Sequence, residues 1–314
     1  MYSLVVPFSQ SFDDVGFFYK IPESLKSTLK IWQIVIIPFW KKEIFWVVIN
    51  ITENANISDG KIKEIKEIFI QKNFLFPYQL NLLKWISKNY FCLIHSSLWL
   101  FFPKNLEKKI MTRKFFFNTE EDFSYTYNNI KILNIHQKEV YDKIISSDKN
   151  KFFLYWVTWS WKTEVYINLI KYFLDKWKQS LFLVPEIILN DQIFERIKLV
   201  FGEKVLVINS SLSEAKKTKY WENIYNWEAK IIIWTRSSIF YPYRDLWLII
   251  MDEEHDNSYV SDISPRYDSF EVVNKMSELE NVKIVFWSAT PKINHMYDVL
   301  HWKYELLSLF DEFQ

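Results

Sequence analysis

One ten-residue stretch, Tyr155-Trp156-Val157-Thr158-Trp159-Ser160-Trp161-Lys162-Thr163-Glu164, constrains this chain more than any other. As written it is an aromatic run ahead of a Lys-Thr pair. With glycine at its three tryptophans it reads Y-G-V-T-G-S-G-K-T-E, a complete phosphate loop of the form G-x-x-x-x-G-K-[ST]. Such a loop turns successive backbone N–H groups onto a phosphate chain, which requires positive φ and close approach, and glycine supplies both. Indoles at those positions would fill the space where phosphate must sit.

Composition makes the same point for the whole chain. The 314 residues include 3 glycines and 15 tryptophans, whereas glycine ordinarily makes up about 7% of a soluble protein. Twelve of the tryptophans stand where glycine fits; exchanging them leaves 15 glycines and 3 tryptophans, an ordinary usage. The reading is that UGA codons, translated here as tryptophan, are read as glycine in the source organism. UGG codons at Trp156, Trp159 and Trp161 would end it. The competing reading takes the tryptophans as genuine core or stacking residues.

The length suits about two domains, and 49% hydrophobic residues with 25% well-spread charge allow each a core. A net charge of +1 gives no global basic field, so any nucleic-acid face must be local. The single cysteine, Cys92, excludes a disulfide framework and a four-cysteine zinc site, so zinc is not expected. Residues 1–10 lack the pattern of a signal peptide, and no apolar run reaches the roughly 18 residues of a membrane helix. A cytoplasmic location without membrane contact is the expectation.

Residues 1–103 read as β-rich, with strands over Leu4–Phe8, Ile34–Phe39 and Ile44–Ile51 and one helix over Pro77–Tyr90 that buries Leu80, Leu82, Leu83 and Ile86. Trp32, Trp40 and Trp46 flank or interrupt those strands as turn or bulge glycines would. Trp85 reads as a true core tryptophan, and Trp99 is left as tryptophan. Residues 104–130 read as a charged linker. From about Ile132 helices alternate with continuous apolar strands at Phe152–Tyr155, Leu181–Val184, Val205–Ile208, Ile231–Ile233, Leu248–Met251 and Ile284–Phe286. Helices are expected from the phosphate loop to about Phe173 and from about Leu189 to Phe201. That is the signature of an α/β lobe on a parallel sheet, with its loops at the carboxyl ends of the strands.

Within the lobe, Lys162 would reach the terminal phosphates of ATP and Thr163 would offer its hydroxyl to Mg2+. The run Leu248-Ile249-Ile250-Met251-Asp252-Glu253-Glu254-His255 is a buried strand ending in acids. Asp252 suits Mg2+, and Glu253 suits activation of an attacking water. His255 stands where it either senses the γ-phosphate or couples to the nucleic-acid side. Pro185 with Glu186, Thr235-Arg236-Ser237, and Ser288-Ala289-Thr290 each follow an apolar strand. They therefore share one sheet edge, where hydroxyls, a guanidinium and backbone N–H groups suit a DNA backbone.

These residues together resemble the primosomal replication-restart DNA helicases of superfamily 2. The similarity runs from Leu133-Asn134 to about Leu309 through the phosphate loop, Val184-Pro185-Glu186-Ile187, Thr235-Arg236-Ser237, the Asp-Glu-Glu-His box with Asp256 and Ser258-Tyr259, Pro265-Arg266-Tyr267 and Ser288-Ala289-Thr290-Pro291. Trp177, Trp227, Trp234, Trp247, Trp287 and Trp302 fall on glycines of that pattern, and Trp221 on a tryptophan. The resemblance implies a RecA-like ATPase lobe over 131–314, preceded by a small β-rich domain over 1–103 that binds DNA 3′ ends. It implies that Gln137 recognises adenine alongside the loop residues Trp156, Thr158, Trp159, Ser160 and Trp161. Ser288, Ala289 and Thr290 would couple hydrolysis to movement, and Tyr259, Arg266 and Tyr267 would belong to a DNA-sensing loop. Trp40 would lie on the DNA face of the first domain, on a weaker match carried by Tyr19-Lys20-Ile21-Pro22 and Ile37-Pro38-Phe39-Trp40.

The partners implied are forks, single strands, 3′ ends and replication-restart proteins. Departures are Phe18 for an acid, Asn209 for a His, Val260 for a Lys and Phe270 for an Arg; the 104–130 segment is also too short for the family's winged helix. The sequence stops at Gln314, ahead of the family's zinc module and second motor lobe, so a separately encoded lobe is one expectation. Slow hydrolysis and no unwinding by this polypeptide alone is another. The competing functions are a non-catalytic DNA-binding remnant and a different superfamily 2 translocase.

Overall fold

In the computed structural model, residues 1–7, 16–40, 42–55, 62–70, 74–103, 106, 109, 127–156, 162–185, 192–202, 205–208 and 212–309 are described. The chain divides into two compact units, Met1–Phe102 and Pro103–Gln314.

The first unit is a five-stranded antiparallel sheet with helices following it. Its strands are β1 (Tyr2–Pro7), β2 (Phe17–Lys20), β3 (Ile34–Phe39), β4 (Lys42–Thr52) and β5 (Glu67–Ile70), in the order β2-β1-β4-β3-β5. Alternation puts Val5, Tyr19, Val35, Ile37, Trp46 and Val48 into one core. Helix α1 (Pro77–Asn89) opens on a proline, whose missing N–H costs nothing there. It buries Tyr78, Gln79, Leu82, Leu83 and Ile86, while Leu80 is only partly covered. Trp85, expected in the core, is half-exposed and meets Tyr90 edge-on. Helix α2 (Ile94–Leu98) follows, and the Trp99 indole donates to His95 Nε2 at 3.0 Å.

The second unit is the parallel-sheet α/β lobe that the strand pattern predicts, of the RecA-like kind that the resemblance implies. Seven strands, β6 (Lys151–Trp156), β7 (Gln179–Leu183), β8 (Val205–Ile208), β9 (Ile231–Trp234), β10 (Leu246–Met251), β11 (Lys283–Ser288) and β12 (Glu305–Leu309), pair in parallel in the order β12-β6-β11-β10-β7-β9-β8. Helices α3 (Ile135–Ser146), α4 (Lys162–Asp175), α5 (Gln192–Phe201), α6 (Glu214–Tyr225), α7 (Ser269–Glu280) and α8 (Ile293–Asp298) connect them. The central strands are apolar on both faces because helices cover both. The onset expected for α5 near Leu189 lies outside the described residues. The stretch read as a linker contributes to this unit: Leu106 is fully buried, Lys109 pairs with Glu222 at 3.0 Å, and Tyr127 packs on Phe201.

Several tryptophans occupy backbone that side chains avoid. Trp32, Trp40, Trp177 and Trp227 have φ of 71°, 55°, 62° and 64°. Trp177 and Trp227 each close a helix in the same way. After α4, Trp177 N–H donates to Leu174 O and Lys178 N–H to Phe173 O; after α6, Trp227 N–H donates to Ile224 O and Glu228 N–H to Asn223 O. Both are the left-handed helix stop in which glycine is the usual residue. Trp40 lies in the two-residue connection between paired Phe39 and Lys42, where a hairpin turn calls for positive φ. Trp247 sits at a register shift between Leu246 and Leu248, a bulge position.

Buried indole nitrogens of Trp32, Trp46 and Trp227 have no hydrogen-bond acceptor among the described residues, a recurrent cost in a protein interior. Trp46 is otherwise different. It is extended and fully buried against Phe17, Tyr19 and Phe39, and its backbone does not ask for glycine.

Candidate functional site: a phosphate-loop lysine facing an acidic strand end

Strand β6 ends at Trp156 and α4 opens at Lys162, and the residues read as the phosphate loop lie between them in the chain. The loop residues Thr158, Trp159, Ser160 and Trp161 lie outside the described residues, as does Glu186. Strand β10 lies two places from β6, with β11 between them, so its carboxyl end delivers Asp252 and Glu253 to the start of α4. Lys162 Nζ donates to Asp252 Oδ1 at 2.7 Å and to Glu253 Oε1 at 2.9 Å. Lys162 and Thr163 are both buried. Glu253 adopts φ 47°, a left-handed conformation unusual for glutamate that is tolerated at sites where a side chain must be aimed.

Asp252 is held from three sides. Tyr166 stands one turn beyond Lys162 on the same face of α4, and its hydroxyl donates to Asp252 Oδ1 at 3.1 Å. The Tyr259 hydroxyl donates to Asp252 O at 2.7 Å. Among the described residues, Asp252 Oδ2 is buried without a partner. Burial raises the Asp252 carboxyl above its ordinary range, and Lys162 opposes that only in part. A carboxylate oxygen without a partner among the described residues, with a threonine next to Lys162 at the start of α4, fits Mg2+, a hard cation that takes few protein oxygens and completes its shell with phosphate and water. Among the described residues no group of three or more His, Cys, Asp or Glu could hold a metal ion.

These contacts set a pH-dependent cost for Lys162→Ala. A carboxyl raised in the fold is protonated more readily there than in the unfolded chain. Its contribution is therefore fully present below the unfolded value and is lost as pH rises toward the folded one. Removing Lys162 raises Asp252 further, so the deficit grows with pH. We expect about 3–5 kcal/mol lost at pH 8 and at least ~1 kcal/mol less at pH 5, by urea denaturation. A pH-independent deficit would show that the pairing does not set the stability.

At the edge of the site His255 Nδ1 lies 2.8 Å from Ser288 Oγ, which also accepts from Thr290 N–H at 3.1 Å. Ala289 and Thr290 are exposed. Gln137 is committed locally: its side-chain oxygen accepts Asn134 N–H and its own N–H donates to Asn134 Oδ1, both at 2.9 Å, capping α3.

The residues read as DNA contacts divide in two. Pro185, Thr235, Tyr259 and Tyr267 are buried, so their side chains face the lobe interior; Tyr267 meets Phe240 edge-on. Arg236 is partly exposed, and Nη1 donates to the carbonyls of Ser258 (2.9 Å) and Val260, tying down the loop beyond the acidic box. Ser237 and Arg266 are exposed, and in the first unit Trp40 is 86% exposed. Sequence reasoning gave no role to Tyr166, Glu254 or His295, all of which touch the site or its support. Only Tyr166 had a local signal, its four-residue spacing from Lys162.

Comparison with known proteins gives this geometry a lineage. A family described as the 3′DNA-binding domain matches residues 4–103, and the DEAD/DEAH box helicase family matches residues 134–299. The replication restart protein PriA of Rickettsia felis is 33% identical over 297 residues, covering 94% of this chain and 44% of that protein. PriA of Borreliella burgdorferi is 34% identical over 236 residues, covering 74% and 35%. PriA of Bacillus subtilis is 41% identical over 166 residues, covering 52% and 21%. The chain spans less than half the length of these curated relatives. With an acidic strand end facing a phosphate-loop lysine and both family matches in sequence order, the chain belongs to the DEAD/DEAH box helicases, as an amino-terminal PriA portion made of a 3′DNA-binding domain and a helicase lobe.

Proposed function

We propose that this chain is the ATP- and DNA-binding amino-terminal part of a replication-restart helicase. The observation that carries the reading is Lys162, at the first turn of α4, held between Asp252 and Glu253 while Asp252 Oδ2 has no partner among the described residues. Phosphate would replace the carboxylates as the lysine's partner, releasing Asp252 toward Mg2+ and Glu253 toward water. Mg2+ would supply charge neutralisation on the phosphates; Thr163 and Asp252 would hold it. Gln137 would face the adenine, and Ser288 with His255 would relay the state of the site to the segment 288–290.

The first unit takes DNA 3′ ends and forks; of the lobe residues read as DNA contacts, Ser237 and Arg266 are exposed and able to meet phosphate, with Arg236 acting through the loop it anchors. Replication-restart proteins and a separately encoded lobe would be its partners, and the cytoplasm its location. Among the described residues no helix is long and apolar enough to cross a membrane.

The same proposal takes glycine as the native residue at the twelve suspect positions. The four left-handed tryptophans and the bulge at Trp247 support it. A non-catalytic DNA-binding remnant is the second reading, favoured by one contact of the chain as written: the Trp287 ring centroid lies 5.2 Å from Lys162 Nζ, crowding the phosphate side.

A fork-binding experiment tests the function. The chain should prefer a fork with a free leading-strand 3′ hydroxyl over the same fork ending in a 3′ phosphate, by about tenfold, or roughly 1.4 kcal/mol. Equal binding to both would count against 3′-end capture.

A further inference from the structure

Glu254 and His255 are neighbours in the acidic box, and they reach opposite ends of one segment. His255 holds Ser288 at the carboxyl end of β11. Glu254 runs the other way. It is fully buried, its Oε2 lies 2.5 Å from His295 Nδ1, and its Oε1 accepts Lys292 N–H at 3.2 Å. Its own N–H donates to Trp287 O at 2.9 Å, fixing where the side chain starts. His295 is buried too, stacked face to face on Phe270 of α7 with ring centroids 3.6 Å apart and planes 7° apart. Outward, α8 and the turn after it expose Ile293, Tyr297 and Leu300. The helix therefore sits on the lobe through His295 and Val299 rather than through a broad apolar stripe.

A buried carboxylate bonded to a buried imidazole is costly to leave half-made, so this contact is held or released as a unit. We propose that Glu254 is a positioning residue: with His295 and Lys292 it locks the far end of segment 288–295 to the strand that carries Asp252 and Glu253. Displacement at the phosphate site then moves α8 with the acids rather than leaving it behind. Phe270 is the back wall that keeps the imidazole in line.

The inference rests on the proposed ATP site, and the test separates the two. Amide hydrogen exchange of residues 288–303 is followed in the chain made with glycine at 156, 159 and 161, with and without saturating Mg–ATPγS, whose affinity is measured for every variant. We expect nucleotide to slow exchange there by about tenfold, and His295→Leu to abolish that change while leaving affinity within about threefold. His295→Gln and Glu254→Gln, which keep a hydrogen bond across the gap, should retain it. If His295→Leu does not fold, Glu254→Leu combined with His295→Leu, apolar on both sides, carries the test and should lose the change with binding intact.

The proposal is overturned if the leucine variants keep the change, if they lose nucleotide affinity itself, or if the glutamine variants behave like the leucine ones. It is also overturned if the parent binds nucleotide without any change in exchange. A parent that binds no nucleotide removes the ATP-site reading, and this inference with it.

Discussion

Mg–ATP should bind the chain carrying glycine at 156, 159 and 161 at least about 100-fold more tightly than the chain carrying tryptophan, because each lost hydrogen bond to a charged phosphate is worth about 1.5–3 kcal/mol and at least two would depend on the glycines. The comparison isolates the loop: Lys162, Thr163, Asp252 and Glu253 are the same in both proteins. A fluorescent ATP analogue titrated in the presence of Mg2+ measures it, and Lys162→Ala in the glycine-bearing chain should remove the gain. Equal affinities would mean that the loop is not the phosphate cradle. No binding by either form would favour the non-catalytic remnant reading, and tighter binding by the tryptophan form would count against glycine at these positions.

A second large effect is a difference in sign between two tryptophans six residues apart. Trp227→Gly should stabilise the lobe by up to about 1 kcal/mol. It removes a left-handed non-glycine residue, worth about 1–2 kcal/mol of strain, against glycine's entropic cost of about 0.5–1 kcal/mol. It also frees a buried indole N–H without an acceptor and a ring centroid only 2.8 Å from Lys230 Nζ. Trp221→Gly should destabilise by about 4 kcal/mol or more, since a large side chain leaves a cavity and α6 gains a glycine. Trp221 is fully buried and stacked on Tyr225 with ring planes 5° apart. Denaturant unfolding of the two single variants decides the matter. Destabilisation of similar size at both positions would make Trp227 an ordinary packed tryptophan and weaken the glycine reading for the whole chain.

Trp159 and Trp161 lie outside the described residues, but among the other tryptophans read as glycine positions the structure separates several by mechanism. Trp177 and Trp227 end helices, Trp40 turns a hairpin and Trp247 marks a bulge, four distinct places with backbone reasons for glycine. Trp46 has no such reason. Composition alone could not separate it from the others, because composition counts residues without knowing their φ.

The chain's own letters determined what is local. Continuous apolar runs become the buried strands of a parallel sheet, and Lys162-Thr163 must open a helix after β6. Acids following Leu248–Met251 must emerge where that strand leaves the sheet. Each follows from neighbours within one element, where periodicity and chain direction leave little choice.

Tertiary structure alone decided the rest. Strand β12 joins the sheet beside β6, more than 140 residues away in the chain. Tyr166 reaches Asp252 across 86 residues, Arg236 reaches Ser258 and Val260, and Glu254 finds His295 across 41. Tyr259 and Tyr267, aromatic and therefore plausible on a DNA face, turn inward because the lobe has room to bury them and partners for their rings and hydroxyls. Such contacts depend on how elements stack, and no spacing within a strand or helix encodes that.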